Sequence, residues 1–170
     1  MVITLMFNAI LIGGSTMLRS LHVWIALLAV LTIHTMSAGG NTGVVTNVVR
    51  GDIITIGESF TARLTGVFCP APDSIEIGKD IRGFAANELI SRVVRFFTWT
   101  TDNTAAGIVY DDDGYPFVTI QYGDDFGLCF NEIMISKGFA KVDTSWLPED
   151  RIHYLDLERH ARENHIGIWK

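Results

Sequence analysis

Several stretches of this chain bring reactive residue types together. Asp111-Asp112-Asp113-Gly114 is a dense acidic turn, the composition of a Ca²⁺ loop. Such a loop needs further oxygen ligands and a closing glutamate at set positions. None follows in frame, so the segment reads as a solvated hairpin turn. Arg50-Gly51-Asp52 spells an adhesion tripeptide but lies between two strand patterns, where it reads as a turn. His153 and His160, seven residues apart, share a face of the last helical segment, with His165 beyond. Two histidines without a third ligand make a weak zinc site, and a solvated helix face is the simpler reading. Cys69 and Cys129 lie sixty residues apart. That spacing is no metal motif, and the two could pair only if their sulfurs meet in an oxidising compartment. Trp99, Trp146, Trp169 and the Phe96-Phe97 pair could stack bases, although such residues more often fill a core or close a barrel. The stretch LTGVFCPAP, Leu64 to Pro72, reads as a strand end running into a turn and contains no carboxylate.

The elements that must position these residues begin after a Gly39–Asn41 linker. Alternation of apolar and polar residues predicts strands over Thr42–Val49, Asp52–Ile56 and Phe60–Val67, joined as a meander by turns at Arg50-Gly51 and Gly57-Glu58-Ser59. Asp80–Val94 has helical spacing. Ile81, Phe84, Ala85, Leu89 and Val93 share one face, with Asp80 as the cap. Strands are expected over Arg95–Thr101, Pro116–Tyr122 and, briefly, Gly127–Phe130, with a turn-rich insert at Asp102–Gly107. Asn131–Lys137 reads as a short helix ended by Gly138 at its C′ position. Phe139–Val142 is extended, and Pro148–Asn164 is the last helix, acidic at its start and basic further on, as the helix dipole favours. Strands, a helix, strands and two more helices make an α+β chain, and five strands with helices fit an OB-type barrel.

Not all of the 170 residues belong to that domain. Leu21–Ile33, LHVWIALLAVLTI, is thirteen residues without a formal charge, preceded by Arg19 and followed by Ser37, Ala38, Gly39 and Gly40. A basic residue, a short apolar run and small residues have the pattern of a secretory signal. The run is shorter than the roughly 20 residues of a spanning helix. The apolar stretch from Met1 to Gly14 leaves an uncleaved anchor open. Residues 1–39 are therefore expected to be a signal peptide or membrane anchor, with attachment through residues 1–36, and residues 40–170 the domain. The domain is then secreted, periplasmic, or anchored outside the cytosol. Without Arg19 the remainder carries 12 Lys and Arg against 19 Asp and Glu, a net charge of −7. Such a balance argues against nucleic acid as the default partner, because phosphate neutralisation needs Lys and Arg.

Several ordered motifs over residues 42–169 resemble the staphylococcal nuclease-like, or thermonuclease, family. They are Val48-Val49-Arg50-Gly51-Asp52-Ile53-Ile54, Arg63-Leu64-Thr65-Gly66-Val67-Phe68-Cys69-Pro70-Ala71, Gly83 with Ala86, Asp113-Gly114-Tyr115-Pro116-Phe117-Val118, Asn131-Glu132 with Gly138-Phe139-Ala140-Lys141-Val142, and Glu158, Ala161, Gly167, Ile168 and Trp169. The resemblance implies an OB-fold five-stranded barrel with three helices. It also implies phosphodiester cleavage with one Ca²⁺, a carboxylate that handles the attacking water, and two arginines on the phosphate. Metal and guanidinium groups offset charge as the transition state forms.

Carried over position by position, the resemblance retains a metal aspartate as Asp52 and one arginine as Arg63. The second metal aspartate falls on Phe68, the carbonyl ligand on Cys69, the catalytic glutamate on Ala71 and the second arginine on Tyr115. Phenylalanine cannot ligate Ca²⁺, alanine cannot accept a proton, and tyrosine is a neutral donor rather than a bidentate cation. Loss of several members of one catalytic unit leaves little activity. Arg50 also replaces an acidic residue of the family's pattern, which makes the rim less favourable to a cation. The expected function is a pseudonuclease: an exported or membrane-anchored accessory domain that contacts a protein, with no cofactor. Asp52 and Arg63 are then expected to persist as an ion pair. The alternative is a Ca²⁺-dependent nuclease with rearranged ligands drawn from Asp73, Glu76 or the Asp111–Asp113 turn. A barrel that binds an oligosaccharide or another small ligand is a third possibility.

Overall fold

A computed structural model describes residues 40–74, 77–101, 107–145 and 151–170 of the chain. The expected leader or anchor, Glu76, most of the 102–107 insert, Trp146 and the expected helix start at 148–150 lie outside the described residues.

The domain is built on a long first strand, β1 (Asn41–Arg50), which turns through Gly51-Asp52 into β2 (Ile53–Ile56) and then β3 (Phe60–Leu64). All three pair antiparallel in sequence. The N-terminal half of β1 pairs on its other side with β5 (Val93–Thr98), from Asn41↔Phe96 to Val44↔Val93. β5 in turn pairs antiparallel with β6 (Phe117–Tyr122). The sheet closes where β3 meets β6 in parallel, Arg63↔Phe117 and Leu64↔Val118. The result is the expected five-stranded barrel, β1-β2-β3-β6-β5, with three helices. Closure removes the free edges that an open sheet would present. Short strands β4 (Val67–Phe68) and β8 (Lys141–Val142) form a separate antiparallel pair, and β7 (Leu128–Cys129) adds to β6.

Two bulges bend β1. The register moves from Val45↔Ile56 to Asn47↔Thr55, then from Val48↔Ile54 to Arg50↔Ile53. Each step inserts one extra residue on β1, Thr46 and then Val49. Strict alternation therefore fails: the buried residues are Val45 and Val48, three apart, while Val49 is exposed. A bulge bends and twists a strand and re-aims the side chains that follow. Here the second one directs Arg50 back toward Asp52.

Helix α1 (Gly78–Leu89) lays Ile81, Ala85 and Leu89 against the barrel. Arg82 Nε donates to the carbonyl of Val48, at 2.9 Å, in the bulged region of β1. The helix ends five residues before the expected Val94. Ser91 takes a left-handed φ of 67°, and the β-branched Val93 and Val94 pair with β1 instead. Val93 is thus an exposed strand residue, not part of the helix face. Asp80 lies in the first turn, while Ile77 holds the N-cap position without a side-chain bond. The expected strand to Val67 also divides, because Thr65-Gly66 turn and Gly66 has φ 71°.

Helix α2 (Phe130–Ser136) stops in a Schellman arrangement, with Gly138 N–H to Ile135 O at 2.8 Å and Phe139 N–H to Met134 O at 2.9 Å. Gly138 takes the left-handed φ of 63° that this motif needs. Helix α3 (Arg151–Glu163) buries Tyr154 and Ala161.

Candidate active site

The resemblance-derived positions converge at the β1–β2 turn, the end of β3 and β4. Asp52 follows Gly51, whose lack of a side chain is required by space. A Cβ there would come within 2.7 Å of Ile81 Cγ2 and 2.9 Å of Cys69 Sγ. The close approach seals the turn against α1 and leaves Asp52 fully buried. The adhesion tripeptide is therefore not presented to solvent as a unit.

A buried carboxylate needs partners, and Asp52 has them on both oxygens. Arg50 donates in a two-pronged contact, Nε to Oδ1 and Nη2 to Oδ2, the latter at 3.0 Å. The backbone N–H of Cys69 donates to Oδ2 at 3.1 Å. Planar guanidinium and carboxylate groups match in this geometry. Burial works to lower the Arg50 pKa, but the hydrogen bond and charge of Asp52 outweigh it and raise it above its ordinary value.

Arg63 faces three carboxylates. Its Nε lies 3.8 Å from Asp52 Oδ2, Nη1 lies 3.4 Å from Asp111 Oδ2, and Nη2 lies 3.7 Å from Asp143 Oδ2. The pairing of Asp52 with Arg63 is present but long, and Arg50 is the close partner. Arg63 Nε itself makes no hydrogen bond. Together the five side chains carry three negative charges and two positive ones.

The acidic turn contributes one of those carboxylates in a specific role. Asp111 Oδ1 accepts from the backbone N–H groups of Asp113, at 3.0 Å, and Tyr115, at 2.8 Å. Its other oxygen faces Arg63. Asp111 is thus a structural turn residue with a nearly buried side chain, whereas Asp112 and Asp113 are exposed. Full solvation of this turn was the wrong expectation for Asp111, because its carboxylate folds inward. Asp143 had no motif to mark it. It is brought in by β8, with its N–H bonded to Gly66 O at 3.0 Å.

Phe68 remains 43% exposed, and its ring lies over both guanidinium groups, 5.5 Å from Arg50 Cζ and 5.7 Å from Arg63 Cζ. Ala71 is half-buried in a turn whose carbonyl accepts from Ser74 N and Oγ. Asp73 in the same turn is exposed. Tyr115 joins the site through its backbone N–H to Asp111. Among the described residues, no three His, Cys, Asp or Glu side chains are grouped so as to hold a metal ion.

The other sequence candidates lie elsewhere. His153 Nε2 approaches Glu132 Oε2 at 3.3 Å, and His160 contacts Asn164, each on an exposed surface. Both cysteines are free thiols. Trp99 packs edge-on against Phe117, and Phe96 stacks on Phe60.

The sequence profile of the staphylococcal nuclease homologue family matches residues 62–170. The chain belongs to this family. The match begins after Asp52, so the family position of Asp52 rests on the motif at Val48–Ile54 and on the β2–β3 register, in which Ile53 faces Arg63. Arg63 stands near the end of β3, and Asp52 lies in the turn between β1 and β2. No curated protein sequence matches the chain.

Cys69 couples this site to pH. Burial, and then the Asp52 charge, push its thiol well above the ordinary value of 9.0. A raised folded value means that the native state holds the proton more tightly. The associated stability is complete below the unfolded value and is lost as pH climbs from there toward the folded one. Burial also raises Cys129 and Tyr122. The unfolding free energy from urea titrations should therefore fall above about pH 9 as the thiols contribute and further above about pH 10 as Tyr122 does, by up to about 1.4 kcal/mol per pH unit for each thiol proton. In Cys69→Ala the slope of that decline should be shallower, whatever the variant's stability at neutral pH.

Proposed function

We propose that this family member is a non-catalytic, nuclease-like binding domain: an exported or membrane-anchored accessory subunit that contacts another protein. One observation carries the reading. Both oxygens of Asp52 are engaged by Arg50 and the Cys69 N–H, and Arg63 is surrounded by carboxylates.

A Ca²⁺ ion needs several oxygen ligands with free lone pairs facing it. At this site it would meet a guanidinium bonded to both carboxylate oxygens, the ring of Phe68 and no carboxylate at the Phe68 position. The residues present do not fit the ion. A phosphodiester approaching Arg63 would have to compete with Asp52, Asp111 and Asp143 within a cluster of net charge −1. General-base catalysis needs a carboxylate within reach of the attacking water, and Ala71 offers none. The rearranged-nuclease alternative is weakened because Asp111 already holds its own turn and Arg63, and because Asp73 is exposed. Acidic net charge and the apolar Phe68 at the surface favour a protein partner over nucleic acid.

Thermal unfolding in excess Ca²⁺ and in EDTA tests this reading. A ligand at about 100 times its Kd adds about 2.7 kcal/mol to native stability, which moves Tm by several degrees in a domain of this size. The expected result is the same Tm in both buffers. A Ca²⁺-dependent rise that disappears in Asp52→Asn would establish a metal site at this turn and overturn the proposal.

A further inference from the structure

Beside the former catalytic pocket lies a groove of about 280 Å³ lined by Phe68, Pro70, Lys141, Ile168 and Trp169. Its walls are fixed. Phe68 and Lys141 are cross-strand partners on β4 and β8. The segment carrying Ile168 and Trp169 is held by a backbone-to-backbone approach of two glycines. A Cβ on Gly167 would lie 2.1 Å from Gly138 O, and one on Gly138 would lie 2.2 Å from Ile166 O. Without those side chains, Ile168 N–H reaches Gly138 O at 2.8 Å. Arg162 Cζ sits 4.0 Å from the centre of the Trp169 ring and Lys141 Nζ 5.8 Å from it.

Resting on the binding role proposed above, we infer that this groove receives a protein segment that inserts one bulky apolar side chain and places an adjacent carboxylate on Lys141. Lining and charge carry the argument. The groove is walled by Phe68, Pro70, Ile168 and Trp169, with Lys141 as its one charged side chain. It suits a single anchor side chain, the usual form of a binding hot spot. Arg162 already pairs with Glu158, at 3.2 Å. Lys141 is exposed, and no carboxylate of the described residues comes within ion-pair distance of it. A cation with no ion-pair partner among the described residues, at the rim of an apolar groove, complements an acidic residue next to the anchor. Opposite charge across a rim sets specificity and orientation.

The test is selection from a random dodecapeptide display library against the full chain. Enriched peptides should share a large apolar residue beside Asp or Glu. Synthetic versions should lose about tenfold or more in affinity for Lys141→Glu, and should recover when their acidic residue is replaced by Lys. Phe68→Ser should weaken the same peptides without affecting Lys141. The urea midpoint of each variant is measured first, and one unchanged from the parent chain shows that the fold is kept. Three outcomes overturn the assignment: no enriched sequence, enriched peptides indifferent to both variants, or a concentration-dependent dimer lost in Phe68→Ser, which would give the groove to a second copy of the chain. Peptides that bind elsewhere would remove the groove and leave the binding role standing. Catalysis of DNA cleavage would remove that role whatever the groove binds.

Discussion

Asp52→Ala is expected to lower the unfolding free energy by about 3–5 kcal/mol, the usual consequence of removing one partner from a buried ion pair. The carboxylate is fully buried. Its loss leaves the Arg50 guanidinium and the Cys69 N–H without their acceptor, and it removes one of the three counter-charges of Arg63. The measurement is the urea midpoint at constant m. A double-mutant cycle isolates the pair: Arg50→Met with Asp52→Leu should be much less destabilised than the sum of the single variants, because no charge is then stranded. A residue kept for catalysis behaves differently. Functional sites are commonly strained, and their removal costs little or even stabilises. A change within about 0.5 kcal/mol would mean that Asp52 is not structural.

The second large effect is expected at Asn131. This fully buried side chain lies where β3 leaves β6, and it bridges the gap that the parallel pairing no longer spans. Its Oδ1 accepts from Ile120 N–H at 3.0 Å, and its Nδ2 donates to Thr65 O at 3.0 Å and Val118 O at 3.2 Å. Val118 O also accepts from Thr65 N–H, so Ile120 N–H and Thr65 O are the groups that would be orphaned. Each buried unsatisfied group costs about 1–3 kcal/mol, and Asn131→Leu should destabilise by about 3–4 kcal/mol in total. Asn131→Asp should do no better. It keeps the acceptor for Ile120 but turns a carboxylate oxygen toward two carbonyls. A loss below about 1 kcal/mol in both variants would show that the barrel closes without this amide.

The sequence made the barrel strands, the three helices and the Gly138 stop readable because each follows a local rule: alternation, helical spacing, or a left-handed C′ residue. The bulges of β1 follow no such rule. Thr46 and Val49 look like ordinary members of an alternating run, and only pairing with β2 shows that each is an extra residue. The same limit explains Val93. Its helical spacing from Leu89 is real, but pairing with Val44 prevails. At the site, the resemblance pointed to Asp52, Arg63, Phe68, Ala71 and Tyr115, and Arg50 was visible as an unfavourable neighbour for a cation. That Arg50 reaches Asp52 depends on the second bulge. Asp143 directly follows a two-residue strand and lies eighty residues along the chain from Arg63, beyond any local pattern. The groove residues were visible only singly, because Phe68 and Trp169 meet through tertiary packing.

The most direct measurement is hydrolysis of long DNA and RNA by the purified chain in Ca²⁺ and in EDTA. The expected result is no Ca²⁺-dependent cleavage, with both substrates intact at protein concentrations far above those of an active nuclease. Cleavage that co-elutes with the chain, requires Ca²⁺ and is lost in Arg63→Ala would contradict the account. It would show that Arg63 leaves its three carboxylates to hold a phosphate.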